Sequence, residues 1–159
     1  TKGEIKRGME NGEEKDMDSQ QHVTILLVED DPGHALLIEK NLRRANIANT
    51  IVKVDNGQKA VDFAFNSEGG HGGPLLILLD LNLPILDGYQ VLKILKNDER
   101  TKRIPVVILT TTDNTHEVAR CYEYGCNVYI TKPVEYERFS GAIQSLGLFL
   151  SIVKVPEKE

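Results

Sequence analysis

A run of five aliphatic residues at positions 75–79 ends in a single acidic residue, Asp80. The run is too short for a buried helix and predicts a parallel strand that is covered on both faces. A carboxylate at the end of such a strand lies at the C-terminal edge of the sheet, where open α/β folds place their functional groups. This one segment therefore predicts both a fold class and the position of a functional carboxylate.

A second apolar run, at positions 23–28, also ends in acids, namely Glu29, Asp30 and Asp31. Two strands are thus expected to bring carboxylates to one edge of the sheet. Carboxylates that lie close together repel each other unless a cation binds between them. A cation beside a nucleophilic carboxylate suits phosphoryl transfer. We expect Asp31 to serve instead as the N-cap of the following helix.

The remainder of the chain alternates between strand-like and helix-like segments. This alternation predicts a flavodoxin-like α/β fold, with a doubly wound five-stranded parallel sheet and five helices. The predicted strands are 23–28, 51–54, 75–79, 105–109 and 128–131, and the predicted helices are 32–45, 58–66, 89–97, 114–124 and 134–150.

The 159 residues are predicted to form one domain over 22–150, between a polar leader at 1–21 and a short tail at 151–159. The last helix and the tail carry more apolar residues than one core stripe needs. We expect a self-complementary dimer patch there, although a longer, well-packed helix end would give the same pattern. The extra apolar residues are Leu148, Phe149, Ile152, Val153 and Val155.

Composition narrows the possible functions. A net charge of −5 argues against direct nucleic-acid binding, which usually needs a concentrated basic face. No apolar stretch approaches the roughly 18–20 residues that span a bilayer, and the charged N-terminal residues do not form a secretory signal. Cys121 and Cys126 are predicted to be free buried thiols of a cytoplasmic protein rather than a disulfide.

Several functional side chains are predicted to meet at the C-terminal edge of the sheet. Glu29 and Asp30 follow the first strand, and Asp80 ends the third. Thr110 follows the fourth strand, and Lys132 ends the fifth. Acidic oxygens can hold Mg²⁺ while the Asp80 carboxylate attacks phosphorus. An ammonium neutralises charge on the transferring oxygens, and a hydroxyl can hydrogen-bond the attached phosphate.

The residues around these positions resemble the receiver domain of two-component response regulators over about residues 23–150. The matching segments are LLVEDDP, LLDLNLPILDG, PVVILTT and YITKP, in the expected order. The resemblance implies that Asp80 accepts a phosphoryl group from a phosphohistidine of a sensor histidine kinase, with Mg²⁺ as the cofactor. It also implies that the domain catalyses its own phosphorylation and dephosphorylation and is not a turnover enzyme.

The resemblance assigns a role to each matching position. Glu29 and Asp30 would organise Mg²⁺, and the backbone carbonyl of Asn82 would bind it. Thr110 and Tyr129 would be the switch residues, for which ordinary strand-end chemistry and half-buried packing are the alternatives. The remaining matches are Lys132, which would pair with the phosphate, Pro133, which in this family often follows a cis peptide bond, and the Asp87-Gly88 turn before the third helix.

The same resemblance predicts how the signal leaves the domain. Phosphorylation would shift a two-state equilibrium of the face formed by the fourth helix, fifth strand and fifth helix. We expect a stand-alone regulator that acts through protein contacts on a downstream target. The chain further resembles the small regulators that partner phytochromes. That likeness rests on the segment VEDDPGHALLIEKNLRRA, a glycine-rich insertion near 67–74, LDLNLPILDG and the apolar tail.

Three other classes fit the sequence less well. A phosphatase of the haloacid dehalogenase type needs a second acid two residues after the nucleophile, where this chain has Asn82. A nucleotide-binding module needs a glycine-rich phosphate loop after the first strand, and neither common pattern is present. A receiver-like scaffold that is never phosphorylated remains an alternative, although Asp80, Lys132 and the acidic pair are all intact.

Overall fold

The computed structural model describes residues 22–66, 73–111 and 114–146. Five strands alternate with five helices along this part of the chain. The strands are β1 (Thr24–Val28), β2 (Ile51–Val54), β3 (Leu75–Asp80), β4 (Val106–Thr110) and β5 (Val128–Thr131). The helices are α1 (Pro32–Arg44), α2 (Gly57–Asn66), α3 (Gly88–Lys96), α4 (Thr115–Glu123) and α5 (Tyr136–Ser145).

All five strands form one parallel sheet in the order β2-β1-β3-β4-β5. This is the predicted flavodoxin-like, doubly wound fold. The strand order reverses between β1 and β3, which makes their C-terminal ends the topological switch point of the sheet. Val28 of β1 pairs with Leu79 of β3, so Glu29 and Asp80 follow neighbouring positions at that point.

The sheet separates two hydrophobic clusters. Side chains of α2, α3 and α4 pack on one face, and side chains of α1 and α5 pack on the other. Strand β3 is buried along its whole length, with residues 75, 77 and 79 in one cluster and residues 76 and 78 in the other. The aliphatic run is therefore covered on both faces, as predicted for a central parallel strand.

The predicted boundaries need small corrections. Thr110 is the last residue of β4 rather than the first residue after it, and β3 includes Asp80, one residue beyond the predicted range 75–79. Helix α5 begins at Tyr136 and not at residue 134, because Glu135 keeps an extended conformation (φ −89°, ψ 160°). The Val134 carbonyl accepts a hydrogen bond from the Asn41 side chain, which ties this turn to α1.

Other predictions concern residues outside the described ranges. The leader at 1–21, the predicted helix beyond residue 146, the apolar tail residues and the glycine-rich insertion at 67–72 belong to this group. Within the described ranges, Cys121 and Cys126 are buried free thiols, as predicted. No helix in those ranges has the length and hydropathy that a membrane span requires.

Candidate active site

Three carboxylates meet at the topological switch point. Glu29 and Asp30 follow β1, and Asp80 ends β3. Each offers one oxygen, and these oxygens lie within 4.8 Å of one another. The side chains of Glu29 and Asp80 are only 1% and 7% exposed, whereas Asp30 is exposed. The acidic cluster is therefore buried at its base and open to solvent at Asp30.

The environment of Asp80 makes its ionisation unfavourable in the absence of a cation. Burial raises the pKa of Asp80 to about 6; the Lys132 ammonium opposes this rise, and the neighbouring Glu29 carboxylate adds to it. A hydrogen bond with the backbone N–H of Asn82 also favours the charged form. A cation that binds to the cluster would therefore favour the ionised form of Asp80.

Lys132, the residue directly after β5, supplies a positive charge. Thr131 pairs with Thr110, and the Lys132 backbone N–H donates to the Thr110 carbonyl at 2.8 Å. This register directs the Lys132 side chain toward the acids. Its Nζ forms an ion pair with Glu29 and lies 3.7 Å from Asp80 Oδ2. The Lys132–Pro133 peptide bond is cis, as the resemblance implied.

The remaining predicted residues lie around this centre. Thr110 is buried at the end of β4, where its neighbour Leu109 pairs with Asp80. Asn82 is exposed in the loop after β3. Tyr129 is half-buried and packs against the cluster that contains α2, α3 and α4. The switch roles of Thr110 and Tyr129 and the metal-binding role of the Asn82 carbonyl stay predictions.

The loop after β3 is held close to the acceptor by a glycine. The Gly88 backbone N–H donates to the Leu81 carbonyl at 2.9 Å, and Asp87 and Gln90 form a capping box that starts α3. A Cβ atom at Gly88 would lie 2.6 Å from the Asp80 carbonyl oxygen and 2.7 Å from Leu81 Cα. Only glycine permits this approach, which explains the Asp87-Gly88 turn found in the sequence.

One residue near the site, His34, was not predicted from the sequence. His34 lies in the first turn of α1, and its Nδ1 is 3.3 Å from Lys132 Nζ and 3.6 Å from Glu29 Oε1. Two signals predict this position. Asp31 caps the helix by accepting from the Gly33 and His34 backbone N–H groups. Helical side chains point back toward the N-terminus, which here is the acidic loop.

The acidic cluster fits a hard divalent cation. It offers three carboxylate oxygens at mutual distances suitable for one ion, and two of the three carboxylates are buried. Mg²⁺ takes oxygen ligands and usually retains water, which the exposed side of the cluster at Asp30 allows. The donor set therefore matches Mg²⁺ or Mn²⁺ rather than a metal that prefers nitrogen or sulfur ligands.

Comparison with known proteins identifies the family. The sequence profile of the family described as "response regulator receiver domain" matches residues 25–144 of this chain. The match covers well over half of the sequence and includes residues of all five strands. The chain therefore belongs to the response regulator receiver family.

Individual relatives cover most of the chain. Response regulator Rcp1 from Synechocystis sp. is 37% identical over 136 residues, which are 83% of this chain and 92% of Rcp1. A crystallised receiver domain from Rhodospirillum rubrum is 52% identical (TM-score 0.66, 86% of this chain, 99% of that chain). The bacteriophytochrome response regulator AtBRR is 38% identical (TM-score 0.72, 80% of this chain, 94% of that chain). The structural neighbours thus include a phytochrome response regulator.

One of these relatives has been solved with a metal. The structure of Rcp1 in its Mn²⁺-bound form is 34% identical, with a TM-score of 0.63, over 85% of this chain and 99% of that chain. A divalent metal site in that relative agrees with the acidic cluster in this chain.

Proposed function

We propose that this receiver accepts a phosphoryl group on Asp80 from a phosphohistidine of a sensor histidine kinase, with Mg²⁺ as cofactor. The observation that carries the proposal is the position of the Asp80 carboxylate. It lies at the switch point of the sheet, among acids that fit a divalent cation, and 3.7 Å from the Lys132 ammonium. The neighbours of Asp80 therefore provide the charges that phosphoryl transfer requires.

In the proposed reaction, an Asp80 Oδ atom forms a bond to phosphorus as the phosphorus–nitrogen bond of the donor breaks. The donor imidazole leaves with the bonding electron pair. Lys132 changes partner from Glu29 to an oxygen of the phosphoryl group and so compensates its negative charge. Glu29, Asp30, Asp80 and the Asn82 carbonyl would hold Mg²⁺, which would supply positive charge at the transferring oxygens.

The same groups serve the dephosphorylation of Asp80. Water attacks phosphorus, the oxygen–phosphorus bond to Asp80 breaks, and inorganic phosphate leaves. Each cycle restores the Asp80 carboxylate, but the phosphoryl group comes from the kinase each time. We therefore regard the protein as a phosphoacceptor that catalyses its own phosphorylation and dephosphorylation, and not as a turnover enzyme.

The output we propose is a change in protein contacts. Thr110 would move toward the phosphoryl group, and Tyr129 would turn inward. These movements would shift the two-state equilibrium of the face formed by α4, β5 and α5. We also propose a homodimer through the apolar C-terminal residues and a cytoplasmic location. A monomer in the analytical ultracentrifuge at tens of micromolar, with and without a phosphate mimic, would contradict the dimer.

The proposed kinase is a phytochrome. This proposal is supported by AtBRR, which is described as a bacteriophytochrome response regulator and is 38% identical to this chain. Incubating the protein with phosphorylated phytochrome kinases and with unrelated sensor kinases tests the assignment. Faster labelling by an unrelated kinase than by any phytochrome would contradict it.

The central test is the variant Asp80→Asn. We expect it to lose phosphoryl uptake from acetyl phosphate in the presence of Mg²⁺, as measured by intact-protein mass, because the amide cannot act as the nucleophile. The matched control is Asp62→Asn, which changes an exposed acid on α2 and should label as the natural sequence does. Labelling of Asp80→Asn at the unaltered rate would overturn the proposal, as would a lack of labelling of the unaltered protein by every donor.

A further inference from the structure

The side chain of His34 lies at the mouth of the acidic cluster and touches the residue expected to change partners. Its Nδ1 is 3.3 Å from Lys132 Nζ. An ammonium group has only donors, so this contact is a hydrogen bond in the tautomer whose Nδ1 has no proton. The other nitrogen, Nε2, then carries the proton and lies 3.9 Å from Asp31 Oδ2. The His34 ring thus lies between the N-cap of α1 and Lys132.

The three neighbours of the Lys132 ammonium differ in what a cation does to them. Glu29 and Asp80 both belong to the acidic cluster, whereas His34 does not. A cation in the cluster would compete with Lys132 for the Glu29 oxygen. The cation would not compete for the His34 nitrogen itself, because the imidazole is outside the set of carboxylates.

We propose that His34 is a positioning residue, which keeps the Lys132 ammonium next to Asp80 when a divalent cation occupies Glu29. The inference rests on the proposed function, since it deepens the role of Lys132 in the same site. It accounts for a half-exposed imidazole, 49% exposed, that contacts a lysine side chain only 10% exposed. With Nδ1 present, Lys132 keeps a hydrogen-bond partner whether or not the metal is bound.

The proposal predicts two effects of His34→Ala. The Mg²⁺ dissociation constant should rise by about 3- to 10-fold, because the metal-bound state loses a hydrogen bond that Glu29 no longer replaces. In the metal-free protein, the NMR signal of the Lys132 ε-methylene group should shift. Both readouts are independent of phosphorylation, so they remain interpretable if Asp80 proves not to be a phosphoacceptor.

Three further variants distinguish a positioning role from a structural one. His34→Asn places an acceptor oxygen where Nδ1 lies and should restore most of the Mg²⁺ affinity. Leu37→Ala alters the cleft of about 250 Å³ that His34, Leu37 and Lys132 all line, without touching the hydrogen bond. His116→Ala changes the exposed histidine in the first turn of α4. Neither of these last two changes should move the Mg²⁺ affinity.

A double-mutant cycle completes the test. In a Lys132→Ala background, His34→Ala should no longer change Mg²⁺ affinity, which calorimetric titration can measure. An equal loss of affinity with and without Lys132 would overturn the proposal, because His34 would then act on the metal site by another route. An unchanged affinity and an unshifted Lys132 signal in His34→Ala would overturn it as well.

Discussion

Two lysines with restricted exposure lie at opposite edges of the sheet, and their surroundings differ in kind. At the C-terminal edge, Lys132 contacts two carboxylates and an imidazole. At the N-terminal edge, Lys96 donates to the carbonyl oxygens of Lys102 and Ile104, at 3.1 and 2.7 Å, and to Asn127 Oδ1 at 3.2 Å. The first lysine has ionisable partners, and the second has neutral ones.

This difference separates a functional ammonium from a structural one. The three acceptors of Lys96 use all three of its donors, and two of them are backbone atoms that cannot move without unfolding the loop. Burial lowers the pKa of Lys96, and the neighbouring Cys126 thiol opposes this shift. The partners of Lys132 gain or lose charge when a metal or a phosphoryl group arrives. Lys132 can therefore exchange partners, whereas Lys96 joins the end of α3 to the loop before β4.

The largest effect is expected when the functional lysine is removed. Lys132→Ala should slow phosphoryl uptake from acetyl phosphate about 100-fold or more at saturating Mg²⁺, because no ammonium then compensates the transferring oxygens. Intact-protein mass over time gives the rate. Lys96→Met is the matched variant and should react at the unaltered rate per folded molecule. Equal rates for the two variants would remove the distinction between the lysines.

For stability we expect the opposite order, with a larger loss for Lys96→Met than for Lys132→Ala. Lys96→Met leaves the partly buried carbonyls of Lys102 and Ile104 without the Lys96 donor, whereas Asn127 Oδ1 still accepts from the Val106 backbone N–H. We expect the free energy of unfolding to fall by on the order of 1–3 kcal/mol. Urea denaturation with Mg²⁺ present measures this change, and Lys132→Ala should lose less under the same conditions because the cation compensates the acids. A Lys96→Met protein as stable as the natural sequence would show that the three hydrogen bonds contribute nothing.

A smaller effect is expected from the ionisation of Asp80 at the C-terminal edge of the sheet. Because burial raises the pKa of Asp80 from 3.8 to about 6, ionising this group in the metal-free fold costs on the order of 1–3 kcal/mol. As the pH falls below 3.8 the group becomes protonated in both the folded and the unfolded chain, so the cost disappears. Above about pH 6 it is ionised in both, and the full cost is present. Asp80→Asn should therefore stabilise the metal-free protein at pH 7.5 and not at pH 3.5.

Thermal unfolding at the two pH values checks that prediction, and Mg²⁺ provides the control. Adding Mg²⁺ should stabilise the natural sequence more than Asp80→Asn, since the cation binds the folded acids. A stabilisation of Asp80→Asn that stays constant from pH 3.5 to 7.5 would contradict an effect of ionisation.

Much of the architecture follows from local sequence patterns. The apolar run before Asp80 predicts β3 because a strand buried on both faces has no alternating pattern, and all six of its residues are buried. Helix boundaries were accurate where a cap is local, as with Asp31 before α1. The strand order was not predicted, because it depends on pairing between distant segments. The start of α5 was misplaced because the extended conformation of Glu135 has no strong sequence signal.

The same distinction applies to the site. The acids and Lys132 were predictable because parallel strands end at one edge, which brings together residues that follow different strands. His34 and Lys96 were missed because neither follows a strand. The contact of His34 depends on the direction of a side chain in the first turn of α1, and that of Lys96 depends on a loop that folds back onto α3. The helix cap indicates that His34 points toward the acidic loop, but its contact with Lys132 and the contacts of Lys96 require the three-dimensional arrangement.

The reactivity of the two buried thiols can report the unfolding of this protein. Burial raises the pKa of the Cys126 thiol to about 12 and also raises that of Cys121, so neither forms the reactive thiolate at neutral pH in the folded state. The sequence contains no tryptophan, which removes the usual fluorescent reporter. Reaction with a chromogenic disulfide reagent should therefore proceed only as fast as the molecule opens, and its colour change would follow that opening without any added label.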